Sequence, residues 1–223
     1  MRLANILSGL GERFGIESLV YNPLIFLYYH EHAHASAPVV ADTFEDVFPG
    51  ARTFVDVGAG SGAFAAELVR RGRSVQALEH SRIGRLIAHL QGVGVKPFDL
   101  MKDPPTPTAA GHSDISYCFE VAEHLPPDLA EKLVRFVADA GKTVVFTAAQ
   151  PGQGGTGHVN EQPPEYWIGL FKRLGLDRDA NLEARVRDGF SRAWSPWLAP
   201  NVLVFTRSEA GTGITEPTTG DWD

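Results

Sequence analysis

Apolar and polar positions divide this chain into a helical-looking start, a long stretch in which two periods alternate, and a polar tail. Up to about Pro49 apolar residues are mostly in helical pattern, interrupted at Pro23, and the aromatic-rich run Leu19 to Tyr29 predicts a lid or cap. From Thr53 to about Thr147 strand-like and helix-like segments alternate, the signature of right-handed βαβ units that build a parallel sheet. Phe54 to Val57 and Ser74 to Glu79 predict strands that end beside acids, and Thr143 to Ala148 predicts another central strand. Gln150 to Gly157 is too rich in glycine for regular structure and leaves the sheet where ligands bind in open α/β folds. Pro164 to Gly175 predicts a helix ended by its glycine, and Asn201 to Thr206 a late strand. From Ser208 onward Gly, Thr and acids without apolar periodicity predict a disordered tail. The expected organisation is a helical cap over 1–50, one α/β unit over 51–207 and the tail over 208–223.

The segment Asp56-Val57-Gly58-Ala59-Gly60-Ser61-Gly62, followed by an Ala/Leu-rich run, reads as strand, tight turn and helix. Glycines there allow positive φ and close approach of backbone to a nucleoside. The spacing fits neither the dinucleotide G-x-G-x-x-G nor the P-loop. Asp56 ahead of the turn would repel a pyrophosphate but can accept from an ammonium, so the cofactor should carry an amine rather than phosphates.

Those seven residues resemble motif I of the class I S-adenosylmethionine-dependent methyltransferases. Three further pieces are similar to that family's segments in the same order: Ser74 to Glu79, Lys96-Pro97-Phe98-Asp99-Leu100, and Asp114 to Leu125 with Glu120, Glu123 and His124. The resemblance implies a Rossmann-like α/β fold: a mostly parallel sheet with an antiparallel edge hairpin, helices on both faces and an N-terminal helical cap. Its last strand is expected within Trp194 to Thr206. The cofactor implied is S-adenosylmethionine, with S-adenosylhomocysteine as product, held by Asp56, Gly58, Ala59, Gly60, Gly62, Glu79, Asp99, Leu100 and Glu120. Glu79 would meet the ribose and Asp99 the adenine amino group, although an acid such as Asp99 equally serves to cap a helix or solvate a loop.

Composition narrows the partners. The 223 residues suit one α/β domain with a full core, and the net charge of −7 without a Lys/Arg cluster disfavours a phosphate-backbone partner. The single cysteine, Cys118, permits no internal disulfide and lies in an apolar run, which fits a reducing cytoplasm. No run approaches the roughly 18 apolar residues of a membrane span, and the N-terminus lacks the order of a signal peptide. A small-molecule acceptor is expected, with neither nucleic acid nor membrane as partner. The cap could cover a pocket or pair two chains as a homodimer.

Candidate chemistry gathers in three places. Glu123-His124 follows the fourth segment, where many small-molecule methyltransferases look similar, and His124 either serves as general base or packs against a helix starting near Pro126. His158, Asn160 and Glu161 leave the glycine-rich loop, His158 as a second base and the other two as acceptor-binding groups or as partners of loop backbone. The stretch Gln150 to Trp167 is similar to one in bacterial small-molecule and glycan-modifying methyltransferases. In the cap, Tyr29 and His30 would reach the acceptor. His30-Glu31-His32-Ala33-His34 invites a metal through the i, i+4 pair but lacks H-E-x-x-H spacing; it reads better as a polar helix face, and no metal is assigned. The expected activity is in-line SN2 transfer of a methyl to a sugar hydroxyl or secondary metabolite. The alternatives are a non-catalytic cofactor-binding regulator or scaffold, and an enzyme using the sulfonium for another reaction.

Overall fold

The computed structural model describes residues 23–100 and 112–207. The start of the expected cap and the expected tail lie outside the described residues. Described in chain order are α1 (Pro23–Val47), β1 (Thr53–Val57), α2 (Ala63–Arg70), β2 (Ser74–Glu79), α3 (Arg82–Leu90) and β3 (Val95–Pro97). After them come β4 (Ser113–Phe119), a 3-10 turn over Ala122–His124, α4 (Pro127–Ala140), β5 (Gly141–Thr147) and α5 (Pro164–Arg173). The chain closes with β6 (Leu176–Arg178), α6 (Ala180–Phe190), the short α7 (Leu198–Asn201) and β7 (Val202–Arg207). Pro127 and Pro164 each stand at the first position of a described helix, where no backbone donor is needed. Ser81 caps α3 by accepting from Gly84 N, and Asp179 caps α6 by accepting from Asn181 N and Leu182 N.

The strands join one sheet in the order β3-β2-β1-β4-β5-β7-β6. Every neighbouring pair from β3 to β5 is parallel, and β7 runs antiparallel to both β5 and β6. The mostly parallel sheet with a reversed edge is therefore borne out. Two details differ from expectation. The edge strands are joined through α6 and α7 rather than by a tight turn, and the last strand starts at Val202, because Trp194 to Asn201 forms turns and α7. Pro196 and Pro200 lack the N–H that a strand's ladder requires there. Ser195 is instead tied to α1, its N–H donating to Ser36 Oγ at 2.9 Å.

Residues of alternating parity fill the two faces, as the period of 2 demands. Val55, Val57, Cys118, Val144, Phe146, Leu203 and Phe205 pack with Leu133, Phe136, Trp167 and Phe171 of α4 and α5. Phe54, Ile115, Tyr117, Val145, Val202 and Val204 pack with α1, α2 and α6 on the other face. The C-terminal half of α1 is part of this second layer. Phe44 is 1% exposed and its ring lies 5.7 Å from Phe54, 5.6 Å from Tyr117 and 6.2 Å from Phe190. No described helix is long and apolar enough to cross a membrane.

Phe44→Ala should lower the unfolding free energy by about 3–5 kcal/mol in a urea titration, since the ring joins α1 to two strands and α6. A loss below about 1 kcal/mol would show that α1 is dispensable to the core.

Candidate active site

At the end of β1 the chain turns through Gly58, Gly60 and Gly62, with φ of 81°, 55° and 74°. Space, as well as φ, separates their roles. A Cβ on Gly58 would come within 2.4 Å of Val121 Cγ2 and one on Gly62 within 2.8 Å of Ala88 Cβ, whereas one on Gly60 would meet nothing within 4 Å. Gly58 and Gly62 are thus fixed by packing, and Gly60 presents bare backbone to open space. Gly58 N and Ala59 N both donate to Leu78 O, at 2.9 and 2.8 Å, which seats the turn on β2.

Glu79, last residue of β2, holds the turn directly. Its Oε2 accepts from Gly60 N at 2.7 Å and its Oε1 from Ser81 N at 2.6 Å. Burial raises this carboxyl, and the two backbone donors oppose the rise. Each oxygen keeps a lone pair beyond those bonds. His30 of α1 reaches the same turn, with its Nδ1 3.0 Å from Ser61 Oγ. Asp56 lies within β1, opposite Tyr117 of β4 in the register, and is 3% exposed. Burial pushes it up to about 8, with the Tyr117 hydroxyl opposing and the Glu79 charge reinforcing; its Oδ2 makes no hydrogen bond of good geometry. Asp99 and Leu100 follow β3, Asp99 partly exposed and Leu100 buried in the core.

A second polar group stands at the end of β4. Glu120 takes φ 55°, the described non-glycine residue with positive φ. Its N–H donates to Thr147 O and Oγ1 at 3.1 and 3.0 Å, and its carboxylate accepts from Asn201 Nδ2 at 3.1 and 3.3 Å. Glu123 is 0% exposed, and neither of its oxygens makes a hydrogen bond of good geometry. Burial, with the charge of Glu120 adding to it, pushes Glu123 well above the usual carboxylate range. Burial likewise takes Glu120 to about 7, against the Asn201 and Thr147 hydrogen bonds, so the pair retains a proton near neutrality.

The glycine-rich loop folds over this pair because Val159 N and Asn160 N donate to Glu123 O at 2.9 and 3.0 Å. His158 is thereby set against His124, ring centroids 4.8 Å apart. His158 Nδ1 meets Glu161 Oε1 at 2.8 Å, and His124 Nδ1 faces Gly157 O at 3.3 Å. Burial, then the nearby His158, lowers His124 to about 4, which keeps its ring neutral at pH 7. Asn160 is 3% exposed, with Nδ2 unpartnered and Oδ1 accepting from Gln162 Nε2 at 2.9 Å. Tyr29 joins from α1: its hydroxyl meets Thr156 and feels the Glu123 charge, while burial raises it above the ordinary phenol.

The candidates from the sequence thus fall into two groups at one end of the sheet. Asp56, the three glycines, Glu79 and His30 surround the turn, and Glu120, Glu123, His124, His158, Asn160, Glu161 and Tyr29 gather beyond β4. Tyr29 and His30, adjacent in sequence, serve different groups because successive helical residues point about 100° apart. The histidines of α1 do not converge: His32 packs on Tyr28 and Trp197, whereas His30 and His34 pair 5.5 Å apart. Among the described residues the trio whose ligand atoms do converge is Glu123, His124 and His158. Asp114, quoted within the fourth segment, stands at the opposite end of β4, where Arg52 N, Thr53 N and Lys142 Nζ donate to it. Sequence reasoning missed Asn201, Thr156 and Tyr117. Asn201 precedes Val202, which pairs with Thr147, so only the antiparallel register brings it to Glu120.

No protein-family model matches the chain. Over 173 residues it is 30% identical to an uncharacterized methyltransferase of Mycobacterium sp. (strain JLS) and 29% to one of strain KMS. The match covers 71% of this chain and 61% of the relative, so the chain spans about three fifths of the length of the curated relatives it matches. Among solved structures it is similar to a sugar N-methyltransferase from Streptoalloteichus, with TM-score 0.59 and 16% identity over 82% of this chain and 92% of that one. A magnesium protoporphyrin IX methyltransferase from Synechocystis, solved with bound SAM, gives TM-score 0.57 and 17% identity over 79% and 80%. A TehB-like SAM-dependent methyltransferase from Corynebacterium glutamicum gives 0.58 and 17% over 84% and 100%. These structures show the class I methyltransferase fold for this chain, so the fold expected from the resemblance is borne out.

Asp56 yields a pH signature. With its carboxyl at about 8 when folded and about 3.9 when unfolded, the folded form binds the extra proton between those values. Stability should then fall as pH rises through that window and level off above it. Asp56→Asn should flatten part of this fall in thermal melts taken from about pH 4 to about pH 8; parallel profiles for variant and wild type would contradict the assignment.

Proposed function

We propose that this chain, built on the class I methyltransferase fold, is an S-adenosylmethionine-dependent methyltransferase acting on a small polar acceptor such as a sugar hydroxyl or secondary metabolite. The observation that carries the reading is the turn of Gly58, Gly60 and Gly62, clamped by Glu79 and opening at Gly60. The residues fit the cofactor in three respects. Gly60 leaves room for a nucleoside to approach the backbone. Glu79 retains acceptor capacity for ribose hydroxyls beyond its two backbone donors. The unpartnered Oδ2 of Asp56 suits a donor such as an ammonium.

When bound, the cofactor supplies a methyl already activated on a positive sulfur. What the protein must add is alignment and, for a hydroxyl acceptor, removal of its proton. The buried group beyond β4 does the second of these. Glu161 holds Nδ1 of His158 and thereby fixes the tautomer, which makes His158 the base in the metal-free protein. The neutral ring of His124, the Asn160 amide and the Tyr29 phenol orient the acceptor, and the Glu120–Glu123 pair keeps the chamber polar without a net dianion. The absence of a Lys/Arg cluster favours a small acceptor over a nucleic acid.

Calorimetric titration with S-adenosylhomocysteine tests the cofactor half. Glu79→Gln should weaken binding about 10–100-fold, the loss of a charge-assisted hydrogen bond of about 1.5–3 kcal/mol. No binding by the wild type would sink the methyltransferase reading, and unchanged affinity in the variant would remove Glu79 from the ribose site.

A further inference from the structure

We infer that Glu123, His124 and His158 form a site for one divalent transition metal of the zinc class. Their potential ligand atoms all lie within 4.8 Å of one another. Bonds of about 2.0–2.1 Å put the ligand atoms of a tetrahedral site roughly 3.3 Å apart, so an inward shift of about 1–1.5 Å completes the set. That shift would fall to the segment carrying His158, which also contains Gly152, Gly154 and Gly157, all with positive φ. Its attachment to Glu123 O through Val159 N and Asn160 N keeps the three side chains together meanwhile.

Two features beyond proximity point to a cation. Glu123 is wholly buried and neither oxygen makes a hydrogen bond of good geometry, an arrangement that is costly for a carboxyl and that a metal relieves. The imidazoles also carry the outer contacts that orient metal-binding histidines, Glu161 Oε1 at 2.8 Å on His158 Nδ1 and Gly157 O at 3.3 Å on His124 Nδ1. Glu161 is itself fixed, accepting from Gly152 N and Gly154 N at 2.8 Å each. Two imidazoles and a carboxylate suit zinc, cobalt or nickel, and suit magnesium poorly. Three protein ligands leave positions for oxygen donors. Resting on the methyltransferase reading, the acceptor class is then one that presents adjacent hydroxyl groups to the metal.

The full chain, freed of metal by a chelator, is titrated with Zn2+ by calorimetry and with Co2+ by visible absorption, no nucleoside being present. One equivalent should bind, with the strong d–d bands of four- or five-coordinate cobalt and no response to Mg2+. His158→Gln should weaken Zn2+ binding on the order of a hundredfold or more, and Glu161→Gln about 10–100-fold with the melting temperature of the metal-free protein retained. Absence of one-to-one binding, unchanged affinity in both variants, or loss of binding on His34→Gln instead would overturn the site. A protein that binds S-adenosylhomocysteine but no Zn2+ loses this inference alone. Zn2+ binding without nucleoside binding keeps the metal site and removes the acceptor class.

Discussion

Taking a carboxyl group out of water costs several kcal/mol unless donors meet it, and one end of this sheet buries three, Asp56, Glu79 and Glu123, and half-buries a fourth, Glu120. The local architecture can be understood as the way each is accommodated. Glu79 is matched by two backbone N–H groups and in return fixes the glycine turn. Glu120 is matched by Asn201, which requires β7 to run antiparallel to β5 and α7 to deliver the amide at the right level. Its positive φ is the backbone strain that goes with turning the chain sharply at the end of β4.

The other two carboxyls are left incomplete. Asp56 has an oxygen without a hydrogen bond of good geometry beneath the glycine turn, and so does Glu123, whose carboxyl lies against Glu120 and the Ala149 N–H. Groups of this kind lower stability, and their presence at the carboxyl ends of parallel strands is where open α/β folds bind ligands. The same end of the sheet thus divides into a satisfied part that holds shape and an unsatisfied part that awaits a donor or a cation. The opposite end shows the contrast: Asp114 is fully engaged by Arg52 N, Thr53 and Lys142, and is held well below the usual carboxylate range.

Much of this was legible in the sequence, for physical reasons that can be named. Buried strands betray themselves through apolar runs, so β1, β2, β5 and β7 and the turn after β1 were readable from Phe54 to Gly62 and from Asn201 to Thr206. β6, only three residues long, and α6 carried too little pattern of their own. The wider span Trp194 to Thr206 narrows to β7 because Pro196, Pro200 and the Ser195–Ser36 contact hold the residues before Val202 out of the sheet. In the site, residue types announced themselves, but their grouping did not. That His158 meets His124 follows from two backbone hydrogen bonds to Glu123 O, and that Asn201 meets Glu120 follows from strand register; neither is a property of local sequence.

The central claim is that the glycine turn and the chamber beyond β4 are two halves of one site. A crystal structure with bound S-adenosylhomocysteine tests it most directly. The account predicts ribose hydroxyls within hydrogen-bond distance of Glu79, the nucleoside over Gly60, and the sulfur facing Glu123 and His158. A nucleoside bound elsewhere, or a sulfur directed away from that chamber, would contradict it.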